Sequence, residues 1–358
     1  MIPRLYKKTE TAFTSYGICP LLDAISCVVT EARNSEFVLD MTYAREGRFV
    51  NEITADRIIL ADPYDGADKP EPFCIVSIEY DMEDNLEIHA VHKSYQLNSI
   101  IIGKTSRSGN NPQNILRTMA TSDRKSASCP FTFYSDIVTS SNRTITTDSA
   151  MPLRTIIGGM EGSVLDKFGG ELKWERNKVS LLSARGANRG VRIAYAKNLT
   201  GLKYEIDMSN VVTGVVAYYA SDDEYYESDL MDRQHTYGYN HDIVIDASSQ
   251  FKKSSTIPAQ GAINIWADRE LTKQPSEPKI SVDVDFVLLN QISDDYAYLE
   301  HVNLCDTVEI IYPPLNLKMS AKVVKTVYNV LEDKYDGVTV SNEKLKITDT
   351  IYSMMKKR

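Results

Sequence analysis

Apolar and polar residues alternate over several short stretches in the first third of the chain. A two-residue period places apolar side chains on one face of an extended segment, so it predicts half-buried β-strands. The predicted strands are residues 26–32, 36–43, 57–61, 73–80 and 86–92. Because they are short, closely spaced and joined by polar turns, residues 1–104 are predicted to form a first β-barrel-like domain.

A polar run rich in Gly, Ser and Asn, residues 105–111, interrupts this pattern. Asn111 followed by Pro112 is typical of a helix N-terminus, which predicts a helix over residues 112–122. A second helix is predicted from Pro152 to residue 168, and a hairpin of residues 171–175 and 178–183 follows it. Residues 105–189 are therefore predicted to form an α/β insert domain.

The second half of the chain returns to strand patterns around one helix. The predicted strands are residues 191–196, 202–208, 211–219, 241–247, 279–289, 308–312, 319–330 and 337–341. Residues 259–273 carry the helical spacing, and Pro275 ends it. Residues 190–248 and 280–342 are predicted to form a second β-barrel-like domain, with residues 249–279 as a helical insert and residues 343–358 as a tail. The predicted fold class is α+β and β-rich.

Composition narrows the possible partners. The net charge of −9 disfavours nucleic acid, because a phosphate backbone is repelled by an acidic protein. The chain has 21 Tyr against 9 Phe and 2 Trp, and Tyr suits half-buried strands and protein interfaces. The five widely spaced cysteines include no CxxC pair, which predicts buried thiols. No signal peptide and no membrane span are predicted.

The sequence offers weak candidates for chemistry. His89 and His92 are three apart on a predicted strand, so they point to opposite faces and cannot share a metal ion. His235 and His241 lie near Asp229, Asp232 and Asp242, which could build a metal or hydrolytic site, although the spacing matches no common zinc pattern.

Two further segments are explained without a ligand. The acidic run from Asp222 to Asp232 lacks the register of a calcium loop, and Gly158, Gly159 and Gly162 lack the Lys of a phosphate loop. No catalytic residue, cofactor-binding residue or metal ligand is therefore predicted.

A basic, tight turn separates the insert from the second β region. It has the sequence Arg-Gly-Ala-Asn-Arg-Gly from Arg185 to Gly190, and Tyr195 follows on the next predicted strand. Arg185, Arg189 and Tyr195 are predicted to lie at a domain seam or an intersubunit contact. An ordinary polar turn at a domain boundary is the simpler alternative.

A family resemblance follows from this stretch and from the segments after it. Gly169-Gly170-Glu171, Leu181-Leu182, Arg189-Gly-Val and Lys197-Asn198-Leu199 resemble the N-terminal module of phage tail-associated proteins, the prophage endopeptidase tail group. Residues 302–308 resemble the strand entry "L-G-D-x-V" of that family, with Cys305 where glycine is expected, and residues 323–340 resemble its closing hairpin.

The resemblance implies a baseplate hub at the tip of a phage tail or tail-like particle. It implies a homotrimer in which two barrel-like domains per chain form a ring that caps the tail tube. The implied partners are the distal tail protein or tube ring, the tape measure protein and a tail fibre or receptor-binding protein. The implied location is the virion tail, after synthesis in the host cytoplasm.

Two other functions remain open from the sequence. One is a tail-associated peptidase or cell-wall hydrolase that would use His235 and His241. Lysin members of the family carry their catalytic domains after this module, and the chain ends at Arg358, so an enzyme is not expected. The other is a receptor- or carbohydrate-binding tail module, suggested by the excess of Tyr.

Overall fold

The computed structural model describes residues 2–80, 85–126, 128–194, 199–221, 224–251, 260–286, 301–315 and 317–341. The chain divides into two compact units. Unit 1 contains residues 1–203 and 282–358, and unit 2 contains residues 204–281. The domain limits predicted from the sequence stay a prediction.

The strands of unit 1 begin with those of the predicted first β region. They are β1 (Arg4–Tyr6), β2 (Cys19–Pro20), β3 (Ala24–Ala32), β4 (Phe37–Tyr43), β5 (Ile58–Ala61), β6 (Glu71–Tyr80) and β7 (Leu86–His92). The short 3-10 helices Val50–Glu52 and Lys93–Ser99 connect or follow them. In β4 the alternate residues Phe37, Leu39, Met41 and Tyr43 are buried, as the two-residue period predicts.

The middle of the chain carries short strands and helices. The strands are β8 (Ile101–Ile102), β9 (Thr105–Gly109), β10 (Thr132–Ser135), β11 (Arg143–Thr147), β12 (Met151–Pro152), β13 (Glu171–Glu175) and β14 (Lys178–Leu182). The helices are α1 (Pro112–Thr118), continued by a π-helical turn at Met119–Asp123, α2 (Leu153–Gly158) and α3 (Val164–Phe168). The side chain of Asn111 accepts a hydrogen bond from the amide of Gln113, which confirms the predicted helix cap.

The last elements are mostly strands. They are β15 (Asn188–Ala194), β16 (Leu199–Asp207), β17 (Gly214–Ala220), β18 (Tyr225–Glu227), β19 (Met231–Asp232), β20 (Asp242–Asp246), α4 (Ser248–Phe251), α5 (Gln260–Lys273), β21 (Lys279–Phe286), β22 (Thr307–Tyr312), the 3-10 helix Pro313–Leu315, β23 (Leu317–Asn329) and β24 (Lys334–Ser341).

One sheet joins the two predicted β regions. Its strand order is β16-β21-β24-β23-β3-β4-β7-β6-β5-β1-β2, and β15 and β22 pair with each other beside β23. The connection is the antiparallel pairing of β23 with β3, from Lys325 opposite Ala32 to Asn329 opposite Val28. The β-rich fold class is thus confirmed, while closure of either region into a barrel stays a prediction.

Two predictions for the middle of the chain were wrong. The polar run at residues 105–111 is largely a strand, β9, which pairs with β11 through Ser and Thr side chains on both partners. Strand β9 contains no apolar residue, so its own pattern resembles a loop, whereas Ile145 of β11 is fully buried. The helix predicted from Pro152 is two helices: Gly158 ends α2, Gly159 and Gly162 lie between α2 and α3, and Gly162 has a φ of 75°.

Unit 2 packs α5 against one face of a four-stranded sheet. Strand β17 is central, with β18 and β19 along one edge and β20 along the other. Ile263, Ala267 and Leu271 of α5 are buried against Val215 and Ala217 of β17. Strand β17 overlaps the predicted strand of residues 211–219 and is the central strand of this sheet.

Candidate functional site

The predicted seam around Arg185 is a place in unit 1 where three distant parts of the chain meet. Five ionic side chains gather there, and we call them the seam cluster: Glu31, Arg33, Glu171, Arg185 and Lys322. They come from β3 and its turn, from β13 and the turn after β14, and from β23. Glu31, Arg33 and Glu171 are each less than a tenth exposed.

Arg185 makes the strongest interaction of the cluster. Its Nη1 and Nη2 atoms donate to the two carboxylate oxygens of Glu31 at 2.6 and 2.8 Å, and Nη1 also donates to the carbonyl of Leu172 at 3.2 Å. Burial alone would lower the pKa of the Arg185 guanidinium, but the Glu31 carboxylate outweighs this effect and raises it. The planar fork of arginine matches a carboxylate in two places, so the pair fixes orientation as well as charge.

Glu171 is the second acidic centre of the cluster. Its carboxylate lies 2.5 Å from Nζ of Lys322 and 3.3 Å from Nη2 of Arg33, and it accepts the backbone N–H of Arg185 at 2.7 Å. Burial raises the pKa of this carboxyl, whereas the hydrogen bonds from Lys322 and the Arg185 amide lower it, and the net effect is a lowered pKa. Glu171 is therefore held as the anion by groups from two other segments.

The turn after Arg185 packs closely against the segment before β22. A Cβ added to Gly186 would lie 2.1 Å from the carbonyl carbon of Cys305 and 2.3 Å from the amide nitrogen of Asp306. The Asp306 carboxylate accepts the N–H of Ala187 at 2.7 Å and the Nε–H of Arg189 at 3.2 Å. Only glycine allows this backbone approach, which starts the parallel pairing of β15 with β22.

Cys305 stands where the family resemblance leads us to expect glycine, and its backbone has a conformation that glycine favours. Its φ is 72°, in the left-handed region that glycine adopts without strain. The thiol is buried, which raises its pKa to about 12. The turn therefore keeps the backbone shape that glycine would give it. The side chain at this position is a buried, unreactive thiol.

Asn34 ties the β3–β4 turn to the start of the β13 strand. Its Nδ2 donates to the carbonyl of Gly170 at 3.1 Å, and its Oδ1 accepts the N–H of Leu172 at 2.7 Å. The amide side chain thus forms the two hydrogen bonds that the backbone of a neighbouring strand would form. Its two partners lie 136 and 138 residues later in the sequence. Asn34 has a φ of 59°, which asparagine tolerates better than most residues.

The far end of the β13–β14 hairpin is anchored separately. The backbone N–H of Arg176 donates to Glu71 at 2.7 Å, and its guanidinium donates to the carbonyls of Ala12 and Pro70. Glu71 also contacts Nε2 of His92 at 3.2 Å, and the His92 ring stacks on Phe37. Both ends of the hairpin are therefore held by polar side chains of the first β region.

A stacked arginine fixes α2 on the same hairpin. The Arg154 guanidinium lies between the rings of Tyr95 and Trp174, at 3.9 and 4.6 Å from their centroids. It donates to Ser94 Oγ at 3.0 Å and to the carbonyl of Ser35 at 3.2 Å. Burial lowers the pKa of Arg154, and the two ring faces compensate part of the lost hydration.

The residues predicted for the seam have different environments. Arg185 is buried, the side chain of Arg189 is 50% exposed, and Tyr195 lies outside the described residues. Whether Arg189 or Tyr195 contacts another subunit stays a prediction. Sequence reasoning missed Glu31, Glu171 and Asp306. The sequence did contain an indication for Glu31. It occupies a core-facing position of β3, in the alternating series Cys27, Val29 and Glu31, where a charged residue needs a partner.

The histidines of unit 2 stack on tyrosine rings, and Nε2 of His241 is buried with no hydrogen-bond partner among the described residues. His235 Nε2 contacts Asn240 Oδ1 at 3.2 Å, and the His241 ring stacks on Tyr239 at 4.4 Å between centroids. The nearby acids bond elsewhere: Asp229 accepts from Asn264, and Asp242 accepts from Thr213. These contacts give the predicted hydrolytic alternative no geometric support.

The two other chemical candidates also have ordinary surroundings. His89 contacts Asp40 and is partly exposed, whereas His92 is fully buried, so the two rings lie on opposite faces as predicted. Asp222 and Asp223 of the acidic run lie outside the described residues, and Tyr225–Glu227 and Met231–Asp232 of the same run form β18 and β19.

Neither a cluster of metal-binding side chains nor a membrane-spanning helix occurs within the described part of the chain. No group of three or more His, Cys, Asp or Glu side chains there could hold a metal ion. No helix there is long and apolar enough to cross a membrane.

The carboxylates of the seam cluster are all bonded to cations and amides of the same chain. Its geometry can join segments, and it offers no nucleophile and base to a substrate.

Three solved structures share the fold over nearly the whole chain. Prophage tail protein gp18 from Listeria monocytogenes EGD-e has a TM-score of 0.57 at 14% identity, with 99% of each chain covered. The 43 kDa tail protein of prophage MuSo2 from Shewanella oneidensis has a TM-score of 0.60 at 11% identity, covering 95% of this chain and 98% of that one. A tail protein from Neisseria meningitidis MC58 has a TM-score of 0.59 at 9% identity, covering 97% and 98%.

The sequence comparison gives the same result for the second half of the chain. No curated protein matches the sequence. The model of one protein family, described as prophage endopeptidase tail, matches residues 187–351. The resemblance predicted from the sequence is thereby confirmed: this chain resembles the phage tail family whose description is prophage endopeptidase tail.

Proposed function

We propose that this protein is a structural hub component at the tip of a phage, prophage or related tail. Three copies would form a ring that caps the tail tube and connects it to tail-tip or fibre components. The observation that carries the proposal is the family match over residues 187–351, together with tail-protein folds over at least 95% of the chain. The proposed partners are the distal tail protein or tube ring, the tape measure protein and a fibre or receptor-binding protein.

The seam cluster supports a load-transmitting role. A hub carries mechanical load from the neighbouring rings, so its chain must be rigid. Contacts between segments far apart in sequence provide this rigidity. The Arg185–Glu31 and Lys322–Glu171 contacts join residues 154 and 151 positions apart within unit 1. Polar anchors at both ends of the β13–β14 hairpin add to this rigidity.

The family description includes an endopeptidase, but the described residues favour a structural role. His235 and His241 are engaged with Asn240 and Tyr239, and the buried carboxylates of unit 1 are paired with cations. The solved structures with this fold are described as tail proteins. A peptidase assay on casein and on peptidoglycan, with a His241→Ala control, would still reveal activity, and activity lost in that variant would contradict the proposal.

Two measurements test the structural proposal. Light scattering of the purified chain should give three times the chain mass of 40.3 kDa, and negative-stain images should show a threefold ring with a central hole. Induced particles should contain the chain at a fixed ratio to the tail-tube protein. A strictly monomeric chain that is absent from purified particles would overturn the proposal.

A further inference from the structure

Residues 10–17 form an exposed loop between β1 and β2 of unit 1, and we call it the N-terminal strap. Within residues 11–17, every one of which the structure describes, Phe13 is the single buried residue. The end of the strap is fixed to β1, because the Tyr6 hydroxyl donates to the carbonyl of Ser15 at 2.6 Å. The beginning of the strap therefore depends on Phe13 and on the turn that carries it.

The Glu10 carboxylate holds the turn that leads to Phe13. Its Oε1 atom accepts the backbone N–H groups of Thr11, Ala12 and Phe13 at 3.1, 2.8 and 3.0 Å. Phe13 has a φ of 53°, in the left-handed region where a bulky residue is strained. The hydrogen bonds to one charged oxygen offset this strain, and they lower the pKa of the Glu10 carboxyl. The conformation of the turn thus depends on the negative charge of Glu10.

The Phe13 ring covers a buried amine. The ring packs edge-on against Tyr6, and Nζ of Lys93 and Cζ of Arg176 lie 5.5 and 5.3 Å from its centroid. Arg176 also donates to the carbonyl of Ala12 at 3.2 Å. Lys93 is 4% exposed, and its Nζ has no hydrogen-bond partner among the described residues. Such an ammonium relies on the ring face and on neighbouring charges for its stability.

Glu10 is one of the groups that stabilise this ammonium. Burial lowers the pKa of Lys93, the Cys74 thiol and the Glu10 carboxylate counteract this effect, and repulsion by Arg176 adds to it. Loss of the Glu10 charge would therefore act twice. It would weaken the hydrogen bonds of the strained turn, and it would remove a charge that stabilises the cation beneath Phe13.

Other charged groups around the strap are paired or exposed. Glu71 of β6 accepts the backbone N–H of Arg176 at 2.7 Å. Lys8, just before the strap, lies 3.7 Å from Asp56, and Lys7 is exposed. Among these groups, the carboxylate of the strap itself is the one that bonds to the strained turn and also stabilises the buried ammonium.

We infer that the N-terminal strap is an acid-released latch: loss of the Glu10 charge opens residues 10–14 and uncovers the Lys93 amine. The pKa of Glu10 is lower in the closed strap than its ordinary value of 4.5. Its contribution to closure is therefore complete above pH 4.5 and is lost as pH falls through the lower value. Opening is a property of the single chain and is independent of the proposed hub.

Acetylation of Lys93 measures opening of the full chain at neutral pH. The purified protein receives a short pulse of an acetylating N-hydroxysuccinimide ester, and the modified peptides are quantified by mass spectrometry. Glu10→Gln removes the charge and keeps an oxygen acceptor. Glu46→Gln makes the same change at an exposed residue outside the strap and is the matched control. Phe13→Ala removes the ring and gives the rate of an uncovered amine.

The three variants give different expected rates. Lys93 should react roughly tenfold faster in Glu10→Gln than in wild type, because neutral hydrogen bonds are weaker than charge-assisted ones. Glu46→Gln should stay within about twofold of wild type, since an exposed charge contributes little. Phe13→Ala should react fastest. Equal rates in Glu10→Gln and wild type, an equal acceleration in Glu46→Gln, or a slow reaction in Phe13→Ala would each overturn the inference.

Hydrogen exchange measures the response to acid. Peptides that cover residues 9–17 are followed from about pH 7 to about pH 3.5, and each rate is compared with that of an unstructured chain at the same pH. In wild type, the protection of the strap should fall below about pH 4.5 while β3 stays protected, and in Glu10→Gln the strap should be unprotected throughout. Protection of the wild-type strap that persists to the lowest pH, or that is lost only together with that of β3, would contradict the latch.

Discussion

Arg185 and Arg189 lie four residues apart in one turn, yet their surroundings predict different roles. Arg185 is buried and forms two hydrogen bonds with the Glu31 carboxylate. Arg189 reaches Asp306 with a single nitrogen, and half of its side chain is exposed. The sequence alone gives both arginines the same role, at a domain seam or an intersubunit contact. The geometry changes this expectation for Arg185, because a buried charge without its partner destabilises the folded chain itself.

Arg185→Met is expected to lower the free energy of unfolding by about 3–5 kcal/mol, because Glu31 would keep a buried charge without its partner. Arg189→Met, the matched control, is expected to cost no more than about 1 kcal/mol, since Asp306 keeps its bonds from Ala187 and Asn303. Urea unfolding followed by the fluorescence of Trp174, in a Trp266→Phe background, measures both. Equal losses would contradict this assignment.

Glu171 gives the seam cluster a dependence on pH. Lys322 and the Arg185 amide outweigh the effect of burial and hold the pKa of this carboxyl below its ordinary value of 4.5. A carboxyl with a lowered pKa in the folded state contributes stability above its unfolded pKa, and this stability is lost as pH falls through the folded pKa. Wild type should therefore be more stable than Glu171→Gln near neutral pH, and the difference should shrink as pH falls below about 4.5.

Urea titrations from neutral to acidic pH measure this difference. Other acids also lose their charge in that range, so the pH dependence of the free energy of unfolding of one protein alone does not report on Glu171. The difference in this free energy between the two proteins does. Glu161→Gln, which removes an exposed carboxyl group between α2 and α3, is the control and should follow wild type. A constant difference between wild type and Glu171→Gln at all pH values would contradict a charged, paired Glu171.

Gly186→Ala tests the close approach of two backbones. The added methyl group would overlap the Cys305 carbonyl and the Asp306 amide, which are backbone atoms that cannot rotate away. We expect a loss of at least about 1–3 kcal/mol, typical of overpacking. Gly190→Ala is the control: no atom lies within 4 Å of its added Cβ, and only the φ of 73° is strained, at about 1 kcal/mol. Thermal unfolding of both proteins measures the costs, and a cheaper Gly186→Ala would contradict the contact.

At the scale of elements, strand alternation and helix caps were predictable, and long-range pairing was not. The hairpins of β3 with β4, β6 with β7 and β13 with β14 follow from local alternation and turns. Strand β9 was missed because it contains no apolar residue and so shows no alternation. The pairing of β3 with β23 depends on residues about 300 positions apart, and no local pattern specifies it.

The same limit applies to the candidate site. The turn around Arg185 could be recognised from its local sequence, but its partner Glu31 lies 154 residues away. Nothing in a single sequence says which buried acid meets which buried base. The acid itself was recognisable in principle, because a glutamate at a core-facing position of β3 must find a partner.

Arg233 caps the C-terminal end of helix α5. The last carbonyls of a helix have no partner within the helix, and Arg233 donates to those of Leu271 and Gln274. Arg233→Ala should therefore destabilise α5 and the sheet it covers by about 1–2 kcal/mol. Hydrogen exchange should become faster in residues 260–273 and remain unchanged in β3 and β4. Arg269→Ala, an exposed change on the same helix, should leave exchange unaltered; a similar acceleration there would contradict the capping role.

At the scale of the whole molecule, the proposed hub requires both a rigid chain and exposed groups for its neighbours. The seam cluster supplies rigidity within unit 1, where three segments far apart in sequence share buried charges. The half-exposed Arg189 is available for contacts with other chains. Mutations in the seam cluster should damage folding, and a mutation of Arg189 should damage assembly while folding is preserved.

Arg189→Met tests this division in the proposed trimer. The variant keeps the apolar stem and removes the exposed charge, so its free energy of unfolding should change little. On dilution, its trimer should dissociate at a higher protein concentration than the wild-type trimer does. Light scattering over a dilution series measures this, with Arg192→Met as control, since Arg192 lies on the same strand and pairs with Glu309 at 2.7 Å. If Arg189→Met and wild type dissociate at the same concentration, the turn joins segments within one chain and has no part in the contact between subunits.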